Sequence, residues 1–145
     1  MRAFLDSSAL AKRYIHGYVR EPGAARVCTL LETARELLLS VLAVPEVVSA
    51  LNRLCRESKL TREQYEATKQ LLVADVRDAT IVALTQTVLA RSVDCLEQHP
   101  LRASDAIHVS SALEAGVDCF VSADRRQCEA ARAMGLSVEE VRSEA

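Results

Sequence analysis

The 145-residue sequence predicts an α/β domain, a central parallel sheet of four to five strands with helices on both faces. Three observations lead there. Short apolar runs of strand length alternate with segments of helical period. Each connection between those runs is long enough to hold at least one helix, as parallel neighbours require. Half of the residues are hydrophobic but only 3% are aromatic, so the core is Leu, Val, Ile and Ala, which suits helices packed on a parallel sheet.

Taken in order, residues 2–5 read as a buried strand that stops at Asp6. Residues 8–19 follow with helical composition, Leu10, Tyr14 and Ile15 recurring at i, i+4 and i+5, until Gly17 and Glu21-Pro22-Gly23 punctuate the chain. Val27, Leu30, Leu31 and Ala34 form a helical stripe across 24–36. The apolar run 37–42 is too short for a helix and reads as the second strand. Pro45 suits the first turn of a helix carrying Glu46, Val47, Ala50, Leu51 and Leu54 to about Ser58. Thr61 with Gln64 resembles a capping start for a helix to about Ala74. Residues 79–84, rich in β-branched side chains, are the third strand. A helix over 85–98 ends before Pro100, and Ser104 is the expected N-cap of the next, which Gly116 terminates. Residues 118–122 form a fourth strand, Asp124 to about Met134 a helix, and 136–141 a fifth, edge strand.

Repeats, low-complexity tracts and linkers are absent, so residues 1–141 are expected to form one domain, with 142–145 a short charged tail. The net charge of −2 provides no overall basic field for duplex binding, although a local basic rim is compatible with it. The five cysteines are odd in number, scattered and without a C-x-x-C, which reads as reduced thiols in a cytoplasm. No leader-like or membrane-spanning apolar stretch is expected, so the reading is a soluble cytoplasmic protein without a membrane partner. Neither G-x-x-x-x-G-K-[ST] nor G-x-G-x-x-G occurs, which disfavours nucleotide-triphosphate and dinucleotide binding.

Four acids share a setting. Asp6 ends the first strand, Glu46 and Asp105 fall in first turns of helices, and Asp124 lies just past the fourth strand. Strand C-termini of a parallel sheet lie on one edge, which puts Asp6, Glu46 and Asp124 along one rim; Asp105 joins them if its helix starts there. Carboxylates gathered in one cleft need a cation, and an oxygen-only set without clustered Cys or His suits Mg²⁺ or Mn²⁺. Taken singly, Glu46, Asp105 and Asp124 are also explained by the helix dipole, worth roughly 0.3–1 kcal/mol each. Ser7, Ser8 and Ser122 read as caps or turn formers whose hydroxyls can also orient carboxylates or a metal-bound water. His108, three residues after Asp105, lies on the same helical face and reads as a buried structural histidine that can approach the site. Lys12, Arg13, Arg53, Arg102, Arg125 and Arg126 lie near the acids in sequence. Singly they read as solvated charges; together they border an acidic pocket in a way that suits a single-stranded phosphodiester backbone.

FLDSSALAKRY, LAVPEVVSAL, LRASDAIHVSSAL and FVSADRR, in that order, resemble the four signature blocks of PIN-domain ribonucleases, and most nearly the VapC toxins of toxin–antitoxin pairs. The resemblance covers nearly the whole chain, and L-R-x-x-D-A-I-H is its most specific part. It implies a PIN-like fold and a metal-dependent endoribonuclease acting on single-stranded or loop RNA. Its metal-site acids carry over onto Asp6, Glu46, Asp105 and Asp124, with Ser122 at the hydroxyl position two before the last acid. Asp6, Asp105 and Asp124 are implied as direct Mg²⁺ ligands, and Glu46 as a ligand or as the group that orients the attacking water. A homodimer and a cognate VapB-type antitoxin are implied as well; the apolar helices 24–36 and 61–74 are reasonable places for those contacts, and helix-core packing explains them equally. Two competitors differ in kind. A phosphoacceptor signalling domain would need an acid ending the third strand and a late Lys, yet Leu84-Thr85 ends that strand and no Lys follows Lys69. A PIN-like binding or scaffold module, or a free-standing RNA-processing nuclease, is the alternative to a toxin, and the presence of all four acids speaks against a purely scaffolding role.

Overall fold

The computed structural model describes residues 1–142. Twelve elements follow one another: β1 (Arg2–Leu5), α1 (Ser7–Ile15), α2 (Ala24–Thr33), β2 (Glu36–Ser40), α3 (Ala43–Arg56), α4 (Arg62–Arg77), β3 (Thr80–Val82), α5 (Gln86–Gln98), α6 (Ala103–Ala115), β4 (Cys119–Ser122), α7 (Arg125–Ala133) and β5 (Val138–Glu140). The five strands form one sheet in the order β3-β2-β1-β4-β5. All four pairings are parallel, with Phe4 opposite both Leu38 and Phe120.

Alternation along the strands divides the interior in two. Ala3, Leu5, Leu39 and Val121 face a core completed by α1 to α4, including Leu10, Val27, Leu51 and Leu72. Phe4, Leu38 and Phe120 face a second core with Ala106, Val109 and Ala131. Both faces are covered, so the strands read as continuous apolar runs rather than alternating ones. Phe4 stacks on Phe120 at 5.7 Å between centroids, a pair of large side chains at the centre of an aromatic-poor core.

Strand and helix ends differ from the sequence expectation by one to four residues, because tertiary pairing decides where a short element stops. β2 begins at Glu36, paired with Arg2, and releases Val41 and Leu42. β3 is only three residues long and α4 continues to Arg77. The Thr61–Gln64 capping box is present. Ser104 is not the N-cap of α6: the helix begins at Ala103, and Asp105 reaches back to accept the backbone N–H of Arg102 at 3.1 Å. A carboxylate at the third helical position therefore does the capping expected of the serine. Gly23 precedes α2 with φ +88°, and a side chain there would run into the carbonyl of Val141. Of the expected tail, Arg142 pairs with Glu140, and residues 143–145 lie outside the described residues.

Candidate active site

The carboxyl ends of β1, β2 and β4 open onto the first turns of α1, α3 and α7, and Asp6, Glu46 and Asp124 sit where strand becomes helix, while Asp105 lies in the first turn of α6, which follows α5. Asp6 is the N-cap of α1 and accepts the N–H of Ala9 at 2.9 Å. Ser8 donates to the same carboxylate, and Ser122, at the end of the neighbouring β4, donates to Oδ2 at 2.7 Å. The side chain has no accessible surface. Burial pushes its carboxyl above the usual range in spite of these donors. Among the described residues no Lys or Arg is paired with it.

Glu46, in the first turn of α3, is held differently. His108 Nε2 stands 2.6 Å from Glu46 Oε1, and the Ser7 hydroxyl donates to the same oxygen at 2.8 Å. These donors hold Glu46 below the ordinary carboxylate range. Its side chain is 38% exposed, whereas that of His108 is 2% exposed.

Asp105 and Asp124 are joined through α7. Asp124 caps that helix by accepting the N–H groups of Arg126 and Gln127. The Gln127 side chain donates to Asp105 Oδ1 at 2.9 Å, and the Asp124 N–H donates to Ser122 Oγ, which ties this pair back to Asp6. Arg102 takes the other side of Asp105, at 3.3 Å from Oδ2, with its guanidinium in the field of Asp105, Asp124 and Glu46. As the side chains stand, no three Asp, Glu, His or Cys among the described residues are grouped closely enough to hold a metal ion. Each carboxylate is occupied by protein donors instead.

Two adjoining clefts carry the basic residues. One is lined by Ser7, Lys12, Glu46, Arg53 and Arg56, the other by Asp105, Asp124, Arg125, Arg126 and Arg142, and Arg102 with Ala123 lines both. Lys12 is largely buried and paired with Glu21 at 2.9 Å. Arg125 pairs with Glu129. Arg13 is the exception to the expected basic rim: its guanidinium lies at Asp75 of α4, 3.3 Å away, and it lines neither cleft. It directly follows Lys12, so the helical twist of about 100° turns it from the rim toward α4.

Sequence reasoning passed over Gln127 and Ser40, and read His108 as a buried structural histidine able to approach the site without naming its partners. The spacing of His108 from Asp105 was a signal, but its partners, Glu46 and Ser40, lie 62 and 68 positions away. Nothing in the chain's local pattern marks those contacts.

A parallel sheet with acids along its carboxyl edge and arginines beside them defines a class of acid-rich α/β domain, and comparison with known proteins gives it a family. The PIN domain family model matches residues 3–133, and the chain belongs to that family. It is 34% identical over 138 residues to Ribonuclease VapC45 of Mycobacterium tuberculosis (strain CDC 1551 / Oshkosh), covering 93% of this chain and 92% of the relative. The same figures hold for Ribonuclease VapC49 of Mycobacterium tuberculosis (strain ATCC 25618 / H37Rv). Among solved structures, Mycobacterium tuberculosis VapC20, a sarcin–ricin loop cleaving toxin, superposes with a TM-score of 0.65 at 18% identity, over 97% of this chain and 98% of that one. VapBC2 from Rickettsia felis, bound to a DNA fragment from its promoter, gives 0.67 at 13% identity over the same shares. At those identities the likeness is one of fold.

Proposed function

We propose that this chain is a divalent-metal-dependent endoribonuclease cutting single-stranded or loop RNA, and the toxin of a VapBC-type toxin–antitoxin pair. The observation that carries the reading is that Asp6, Asp124 and Asp105 are linked through Ser122 and Gln127 at the carboxyl edge of the sheet, with Glu46 held beside them by His108 and Ser7. Relatives that match over nearly the whole chain bear the name ribonuclease, which favours a nuclease over a scaffold. Neighbours solved as VapBC complexes favour a toxin over a free-standing processing enzyme.

The donor set is oxygen-only, which suits Mg²⁺ with Mn²⁺ as a substitute. A carboxylate buried at Asp6 without a basic partner fits a cation that completes its charge balance. Asp6, Asp105 and Asp124 would hold the ion, with Glu46 as a further ligand or as the group that orients water. When bound, such an ion supplies Lewis-acid polarisation of a phosphate oxygen and lowers the pKa of a water. The chain's own residues do the rest. Ser8 and Ser122 fix Asp6, and Glu46 has an oxygen free to orient the attacking water. Arg102, between the acids and solvent with its side chain 81% exposed, binds a phosphate oxygen, and Arg53, Arg125 and Arg126 take neighbouring phosphates.

The partners follow the same logic. α4 exposes Leu71 and Val73 beside a groove formed with Val44 and Val76, which supports it as the face that takes a VapB-type antitoxin. α5 exposes Leu89, Val93 and Leu96 at i, i+4 and i+7, an apolar stripe that supports a homodimer. All five thiols are unpaired, which supports a reducing cytoplasm, and no helix among the described residues is long and apolar enough to cross a membrane. The test is expression of wild type and Asp6→Asn in a sensitive host, with sequencing of RNA 5′ ends. The purified chain is assayed beside it on single-stranded RNA in Mg²⁺, Mn²⁺ or chelator. Identical growth and identical RNA ends for the two proteins would overturn the reading.

A further inference from the structure

Both ring nitrogens of His108, in α6, are engaged by side chains from other elements. The backbone N–H of Leu42 donates to Ser40 Oγ at 3.1 Å. Ser40 Oγ lies 3.0 Å from His108 Nδ1 with its own hydrogen available to that nitrogen. Glu46 Oε1, 2.6 Å from Nε2, is an acceptor, so Nε2 carries a hydrogen and, in the neutral ring, Nδ1 accepts from Ser40. Ser7 also reaches Nε2 at 3.2 Å, but its hydrogen goes to the same carboxylate oxygen. Phe4 stands edge-on at 6.5 Å and closes the apolar side of the ring.

Glu46 Oε1 thus receives two donors, one of them charge-assisted and short. Oε2 receives none among the described residues, and Glu46 lines the cleft. A lone carboxylate on an exposed helix turn would sample several rotamers, each presenting a different oxygen. Here one rotamer and one oxygen are selected by a buried ring reaching from α6, which itself carries Asp105. α6 therefore fixes two of the site's acids, one directly and one through its histidine.

We propose that His108 is a positioning residue of the site: held by Ser40, its Nε2–H locks Oε1 of Glu46, so that Oε2 alone is presented to the cleft. The proposal rests on the reading of Glu46 as an acid of a nuclease site. Carboxylates that ligate a metal are generally held by hydrogen bonds from neighbouring side chains, and loss of such a partner typically costs about 10–100-fold.

The experiment combines two readouts. In the first, RNA cleavage and the Mn²⁺-induced rise in melting temperature are measured for wild type, His108→Leu, His108→Gln and Ser40→Ala. His108→Leu is repeated in a Glu46→Gln background at high enzyme concentration. His108→Leu should lower cleavage by about 10-fold or more. His108→Gln, which keeps an N–H within reach of Oε1, should recover most of that loss. In the Glu46→Gln background the leucine should cost under about 2-fold, the non-additivity expected of a coupled pair. An equal cost in both backgrounds, or a glutamine variant as impaired as the leucine one, would overturn the proposal. If the leucine variant fails to fold, the Gln and Ser40→Ala variants decide: Ser40→Ala should lose activity that Glu46→Gln masks.

The second readout is nitrogen-detected imidazole NMR on the metal-free protein. The wild-type spectrum should show the Nε2–H form alone, and Ser40→Ala a mixture of tautomers. A wild-type ring protonated on Nδ1 would overturn the proposal whatever the activity. A wild-type chain that cuts no RNA would instead remove the nuclease reading, with the ring spectrum still deciding how His108 is held.

Discussion

Ser122 donates its hydroxyl to Asp6 Oδ2 at 2.7 Å across the paired ends of β4 and β1, and closes the carboxylate off from solvent. The pairing exists because Leu5 and Val121 are partners in the parallel register, so the residues that follow them emerge side by side. An acid that ends a central strand is therefore delivered to a hydroxyl from the neighbouring strand without any loop having to carry it.

Asp6→Asn should raise stability in chelator while abolishing function. An ionised carboxylate with no accessible surface and no basic partner is costly to fold. An asparagine can take the same place among Ser8, Ser122 and Ala9. The expected gain is about 1 kcal/mol, or roughly 4 °C in melting temperature for a chain of this size. RNA cleavage should vanish, and so should the upward shift produced by Mn²⁺. Calorimetry with and without metal checks all three, and a lower melting temperature in chelator would contradict the account of Asp6.

Tyr14 should give the fold a measurable alkaline limb. Its buried hydroxyl donates to Asp75 at 2.7 Å and ties α1 to α4. Burial, with the Asp75 carboxylate beside it, drives the phenol far above its ordinary value. A raised folded value means the stabilisation is complete below the unfolded tyrosine pKa of about 10 and is lost as pH rises beyond it. At pH 7, Tyr14→Phe should cost about 1.5–3 kcal/mol, the worth of a hydrogen bond to a charged acceptor. Urea unfolding at pH 7 to 11 should show the gap between the two proteins narrowing above about pH 10.

Four of the five cysteines should separate into two classes. Burial raises the Cys128 thiol to about 12, and Cys95 is raised by burial as well. Cys28 and Cys55 are only partly covered. Iodoacetamide at pH 8 should label Cys28 and Cys55 in the native protein and reach Cys95 and Cys128 only on unfolding. Mass spectrometry of the labelled peptides reads this directly, and native labelling of Cys128 would show that its α7 packing opens readily.

The legible parts of this protein were those written in local pattern. Asp6 stood out because an apolar run stops on it, and Glu46 and Asp124 because each falls at the turn from strand to helix. What stayed hidden depended on tertiary placement. Ser104 obeys the local capping rule, yet Asp105, one residue on, back-bonds to Arg102 instead. Arg13 looks equivalent to Lys12 until α4 supplies Asp75. The link from His108 to Glu46 depends on α6 crossing over β2, and no spacing within either segment encodes it.

That difference between neighbouring basic residues yields the most direct test of how RNA would lie on the protein. Arg53 and Arg126 line the two clefts on either side of Arg102, and neither is held in an ion pair among the described residues. Each is free to neutralise a phosphate and release a counterion. For single-stranded nucleic acid, loss of one such contact lowers the slope of log affinity against log salt by about 0.7. Arg53→Ala and Arg126→Ala, measured in chelator by fluorescence anisotropy with a short single-stranded RNA, should each show that reduction. The double variant should show about twice it, because the residues face different clefts. Arg13 is engaged by Asp75, which is also the acceptor of the Tyr14 hydroxyl, so Arg13→Ala should leave the slope unchanged, its cost falling on stability instead. If Arg13→Ala flattened the salt dependence as much as Arg126→Ala, RNA would have to run over α1 and α4 rather than along the acidic edge.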